Sequence, residues 1–108
     1  MDNKEIYKLH ADFCKFMGHS KRIELIFLLS DNELCVEDIA KKMGIKIPNL
    51  SQHLSIMKER NIVQIRRDGV KLFYSLSNPK ILTACNIMRD LMIEQLNKKI
   101  KSLKEDKI

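Results

Sequence analysis

The chain has 108 residues, 31% charged and 44% hydrophobic, which fits one globular domain over 1–108 and leaves no room for a second. No run of eighteen apolar residues occurs, and the opening Met1-Asp2-Asn3-Lys4-Glu5 lacks the apolar core of a signal peptide, so no membrane association and a cytoplasmic location are expected. The net charge of +6 lies between Lys41 and Lys71, where eight basic residues stand against two acidic ones and the rest of the chain balances; so local an excess points to a polyanion, nucleic acid first.

In chain order, Ile6, Leu9, Phe13, Phe16 and Met17 recur at threes and fours and predict a first helix that Gly18 ends. Ser20 is the expected cap of a second helix, whose Ile23, Leu25, Ile26, Phe27, Leu28 and Leu29 leave almost no polar face and place it centrally in the core. Ser30-Asp31-Asn32-Glu33 reads as a turn. A short third helix follows, with Val36, Ile39, Ala40 and Met43 inward and Gly44 as its stop. Pro48 suits the first turn of a fourth helix running to about Arg60, with Leu50, Leu54 and Met57 on one face and Asn49, Ser51, Gln52, His53 and Lys58 on the other.

Ile62–Arg67 and Lys71–Leu76 read as strands, with Asp68-Gly69 as the hairpin signal between them. Helix, glycine-containing turn, polar-faced helix and basic hairpin together make a winged helix-turn-helix, a mainly α fold with a small β-hairpin. After Asn78-Pro79, the residues Ile81, Cys85, Met88, Met92, Leu96, Ile100 and Leu103 trace the stripe of a last helix too long to serve only a small core.

At this point the residues are recognisable. Met17-Gly18-His19-Ser20-Lys21-Arg22-Ile23 resembles the "ALGHPTRL" opening of the arsenic- and metal-responsive (ArsR/SmtB) repressors, and Glu33-Leu34-Cys35-Val36-Glu37-Asp38-Ile39-Ala40 resembles their "ELCVCDLA" element. Ser51-Gln52-His53-Leu54 is similar to their "SxHL" recognition helix, and Arg66-Arg67-Asp68-Gly69 through Phe73-Tyr74-Ser75-Leu76 to their "RREGxxxxYSL" wing. The four matches lie in register over roughly Phe13 to Leu91. The resemblance implies a homodimer paired through its first and last helices that represses an operator and releases it when a metal, metalloid or thiol-reactive signal binds.

A homodimer on a palindromic operator in double-stranded DNA would present two recognition helices about one DNA turn apart. Lys46, Pro48 and Asn49 lie at the start of that helix, whose end favours a phosphate. Ser51 and Gln52 are the candidates for base edges, since Gln pairs well with adenine. His53 is read two ways, as a DNA contact or as a histidine packed under the helix. Arg66, Arg67 and Lys71 are expected to hold phosphates or the minor groove; the plainer reading is a solvated hairpin.

The sensing residues are less defined. The three cysteines, Cys14, Cys35 and Cys85, are an odd number without a CxxC pair, so each is either a small buried hydrophobe or a reactive or ligating thiol. The resemblance implies two cysteines flanking one valine for arsenic, but Glu37 stands where the second would be. At the positions matching the family's zinc site stand Asn78, Lys80, Leu91 and Glu94, of which only Glu94 could ligate. Two or three cysteines, with His10 one turn before Cys14, remain candidates for a soft metal or metalloid (arsenite, cadmium or zinc) or for oxidation; no cofactor is required. No Gly-rich phosphate loop, HExxH or nucleophile elbow appears, so an enzyme is not expected. The alternatives are a winged-helix protein-interaction module and a repressor that senses neither metal nor thiol chemistry.

Overall fold

The computed structural model describes residues 1–106 and contains helices α1 (Asn3–Met17), α2 (Ser20–Leu28), α3 (Val36–Met43), α4 (Ile47–Glu59) and α5 (Pro79–Glu105) with strands β1 (Leu34–Cys35), β2 (Val63–Asp68) and β3 (Lys71–Leu76). The helix ends follow from local chemistry. The Asp2 carboxylate accepts from the Glu5 N–H at 2.8 Å to open α1, and the Asn78 side chain accepts from the Lys80 N–H at 2.9 Å to open α5, with Pro79 in its first turn. Gly44 ends α3 at φ 65°, the left-handed conformation a glycine adopts without strain. Its N–H and that of Ile45 return to the Lys41 and Ala40 carbonyls. Asn61, at φ 58°, closes α4 the same way, its N–H reaching Lys58 and that of Ile62 reaching Met57. Ile62 and Met57 are both buried, which supplies the apolar contact that accompanies this closure.

Two local expectations shift. Ser20 is the first helical residue of α2 rather than its cap; His19 holds that position, its carbonyl accepting from the N–H groups of Arg22 and Ile23 and its side chain bonding none. In the hairpin Asp68 is paired with Lys71, so the two-residue turn is Gly69-Val70 and not Asp68-Gly69. Gly69 takes φ 61°, the sign that the first residue of such a turn needs, and Val70 is left fully exposed at its tip.

The sheet order is β1-β3-β2, all antiparallel. The short β1 was unforeseen: Leu34 and Cys35 pair with Tyr74 and Phe73, which ties the segment before α3 to the hairpin. The core is built from Leu25, Ile26 and Leu29 around α2, Ile39 of α3, Leu50, Leu54 and Met57 of α4, and Ile62, all essentially without solvent contact. Replacing Leu54 by alanine is expected to cost about 2–5 kcal/mol, because so closed a site cannot collapse around the void. Urea denaturation at fixed protein concentration measures it, and a cost below about 1 kcal/mol would mean that this core is loosely packed.

The arrangement is a winged helix-turn-helix, α3 and α4 forming the helix pair and β2–β3 the wing. The terminal helices meet that core only through Phe16 and Met17 at the end of α1 and Ile81, Leu82 and Cys85 at the start of α5. The first helix buries only Phe16, while Ile6, Leu9 and Phe13 of its predicted apolar face remain exposed. The last helix, about 40 Å long at 1.5 Å per residue, buries none of its residues. Among the described residues no helix is long and apolar enough to cross a membrane.

Candidate nucleic-acid interface

The fourth helix is held by its apolar stripe and so must turn its polar residues outward. With Leu50, Leu54 and Met57 buried, 100° steps carry Pro48, Asn49, Ser51, Gln52 and Ser55 to the solvent side, and all five are exposed. Ser51, Gln52, Ser55 and Ile56 line one shallow depression. The helix begins at Lys46 with no side-chain cap and no acid in its first turn, so its free N–H groups and positive dipole end face solvent uncompensated.

The wing separates its two arginines. Side chains alternate along β2, so Arg67 follows Val63 and Ile65 on one face while Arg66 shares the other with Gln64. Arg66 is engaged within the chain: its Nε donates to both Glu33 oxygens at 3.0 Å, its NH2 group to Oε1 at 2.6 Å, and its guanidinium lies 4.7 Å from the Phe73 ring centre. That hydrogen bonding holds the Glu33 carboxyl below its ordinary pKa and the Arg66 guanidinium above its own. Arg67 and Lys71, both exposed, pair with no acidic side chain among the described residues.

Arg60 is likewise spoken for. It donates to Asp12 of α1 at 2.8 Å, and both Arg60 and Arg22 lie 4.4 Å from the centre of the Phe16 ring. Arg22 also donates to the Phe16 carbonyl at 2.9 Å. Two of the eight basic residues between Lys41 and Lys71 therefore find carboxylates outside that block, which a count along the chain could not reveal.

His53 is half-buried, its ring 4.7 Å from that of His19 at an interplanar angle of 71°, and its Nδ1 is buried without a hydrogen-bond partner among the described residues. Desolvation first, and then the charges of His19, Arg22 and Lys21, lower its pKa from the ordinary value of 6.5. The fold thus favours neutral His53. Above 6.5 both folded and unfolded chains hold it neutral; as the pH falls through 6.5 the unfolded chain takes up the proton first, and stability declines until the folded group titrates too. The urea midpoint of the native protein should consequently fall more between pH 7 and pH 5 than that of His53→Gln, whereas parallel curves would show that the ring carries no such penalty.

The candidate thiols do not gather. Cys14 and His10 are exposed on α1, Cys35 is buried at the start of α3, and Cys85 is half-buried on α5, all three cysteines free. No group of three His, Cys, Asp or Glu side chains suited to a metal occurs among the described residues. At Cys35 the Asp38 backbone N–H favours the thiolate, but the side chains of Asp38 and Glu37 together with desolvation outweigh it and raise the pKa. Burial raises that of Cys85.

Residues 19–64 match the family described as bacterial regulatory proteins, arsR family. The chain is 30% identical over 106 residues, 97% of its length and 93% of the relative's, to an uncharacterized HTH-type transcriptional regulator, Rv0081, of Mycobacterium tuberculosis. It is 33% identical to the arsenical resistance operon repressor of Staphylococcus aureus over 67% of this chain and 69% of that one. The crystal structure of Rv0081 superposes with a TM-score of 0.81 over 88% of this chain and 96% of that one. The solution structure of Mb0332 from Mycobacterium bovis, a homodimeric winged helix-turn-helix DNA-binding domain at 22% identity, gives a TM-score of 0.77 over 91% and 93% of the two chains.

Proposed function

Because the chain belongs to the arsR family of bacterial regulatory proteins, we propose that this transcriptional regulator binds a palindromic operator as a homodimer and represses the gene downstream. The observation that carries the reading is the uncapped, acid-free start of α4 with Asn49, Ser51 and Gln52 exposed behind it. The first free N–H groups and Lys46 meet a phosphate, which seats the helix; Ser51 and Gln52 then reach base edges in the major groove. Arg67 and Lys71 hold the flanking backbone, a contact that positions without reading sequence. Arg66 braces the wing through Glu33, and His53 packs against His19 beneath the helix.

The second copy is held by the exposed apolar residues of the terminal helices, Ile6, Leu9 and Phe13 of α1 with Leu96, Ile100 and Leu103 of α5. Release follows when a signal at the thiols binds the DNA-free and DNA-bound dimers unequally. A soft metal or metalloid, or thiol modification, fits cysteines better than the missing acid and histidine ligands.

Fluorescence anisotropy on the protein's own promoter and on a scrambled duplex, each over a salt series, tests the reading. Preference for the promoter, with affinity falling linearly in log salt, is the expected result. Equal binding to both duplexes, or none, would replace it with a protein-interaction module.

A further inference from the structure

At the joint of α1, α2 and the end of α4 lies an open hollow of about 420 Å³, lined by Asp12, Lys15, Phe16, Arg22, Ile56 and Arg60. Ile56 also lines the depression formed by Ser51, Gln52 and Ser55, so the hollow continues the reading face of α4 toward its C-terminal end. Gln52, Ile56 and Arg60 follow one another at steps of four, which keeps them on one side of that helix. Lys15 comes from α1, Arg22 from α2 and Arg60 from the C-cap of α4, and Asp12 is the single carboxylate among the lining residues.

The two guanidinium groups are ordered before any ligand arrives. Phe16, the one buried side chain of α1, carries them both, each 4.4 Å from its ring centre. Arg22 is further fixed by its 2.9 Å bond to the Phe16 carbonyl, yet its Nε is buried without a hydrogen-bond partner among the described residues. Lys15 is exposed and pairs with no acid among the described residues. Arg60 meets Asp12 through one 2.8 Å contact, and the Asp12 side chain is 62% exposed. Arg66 differs, since its fork closes on both oxygens of Glu33. An exposed pair with a single contact contributes little, whereas a phosphate offers a guanidinium two parallel charge-assisted bonds.

We propose that this hollow is a phosphate seat, filled in the regulator by a backbone phosphate of the operator beside the bases that Gln52 reads. Arg60 exchanges Asp12 for the phosphate, and Lys15 and Arg22 complete the cationic shell. The contact positions the duplex without reading sequence, and it brings α1, a helix assigned to the subunit contact, onto the DNA as well. The backbone occupant rests on the regulator reading above; the seat's affinity for phosphate does not.

Anisotropy on the promoter duplex over a salt series tests the seat. Lys15→Gln with Arg60→Gln should weaken binding about 10–100-fold and reduce the slope of log affinity against log salt by about 1 for each protomer, with the circular dichroism and oligomeric state unchanged. Lys15→Gln alone, which touches no packed residue, should move both in the same direction. Asp12→Asn should raise affinity about two- to fivefold in the native chain and not at all beside Arg60→Gln, because only the exchange couples the two residues. An equal rise in both backgrounds, or a slope untouched by the double variant, overturns the seat and leaves the regulator standing. Inorganic pyrophosphate, titrated without DNA at constant ionic strength, supplies the second arm through the Arg22 and Arg60 Nε–H NMR signals. Weak, saturable shifts that the double variant loses are expected, and no shift overturns the seat. Pyrophosphate binding tighter than that of the duplex would give the seat to a soluble phosphorylated ligand and overturn the backbone contact. Shifts in a protein that ignores its promoter keep the seat and discard the regulator.

Discussion

Aspartate at both Leu96 and Ile100 is expected to convert the dimer to monomers and to weaken operator binding by about 10²–10⁴-fold, the avidity lost when one half-site must hold alone. Both side chains are about half exposed in the isolated protomer, and α5 buries none of its 27 residues, so the substitutions remove no contact on which the protomer's own core depends. Their positions on the stripe through Met92, Leu96, Ile100 and Leu103 give them one direction in space, the one that holds the second copy in the proposed dimer. Burying these carboxylates, two from each protomer, would cost several kcal/mol per ion, more than a modest interface can offset. Sedimentation equilibrium should show a monomer with native circular dichroism. A variant that stays dimeric would move the subunit contact elsewhere on the surface.

The second large effect separates reading from holding. Gln52→Ala is expected to cost about 1–3 kcal/mol at each half-site and to relax sequence choice, with the salt dependence unchanged. Arg67→Ala should instead weaken promoter and scrambled duplex alike and reduce the slope of log affinity against log salt by about 1 for each protomer. Arg66→Ala provides the contrast: its charge is already balanced by Glu33, so it should change the slope less than Arg67→Ala does. Anisotropy over four or five salt concentrations on both duplexes distinguishes the three. A sequence preference altered by Arg67→Ala and untouched by Gln52→Ala would exchange the roles given to helix and wing.

Much of this architecture was legible in short-range pattern. Apolar periodicity or, for α2, a nearly all-apolar run located the five helices, and a glycine between a β-branched run and an aromatic one located the wing, because helix and hairpin formation depend on neighbours a few residues apart. What escaped was long-range. Strand β1 has two residues and exists only because Tyr74 and Phe73 lie beside it. The partners of Arg66 and Arg60 stand 33 and 48 residues away, so a linear tally counted both arginines as free. The candidate site divides in the same way. Helix periodicity was enough to put Gln52 outside and Leu54 inside, whereas only the folded chain brings His19 against His53 or sets Arg60 against Phe16. The cap of α2 was missed by one residue because His19 supplies a carbonyl there, a role that any amino acid can fill.

The clamp between Glu33 and Arg66 bears on the thermodynamics of docking. A free two-stranded hairpin is marginally stable in water and would have to freeze its backbone on meeting a ligand, a loss of roughly 1–2 kcal/mol per residue fixed. Here a forked ion pair and a third strand fix the ribbon while it is still unliganded, so that entropy is already spent within folding. The protein meets its target as a finished mould, and association should show the small conformational heat-capacity signature of rigid bodies rather than the large one of coupled folding.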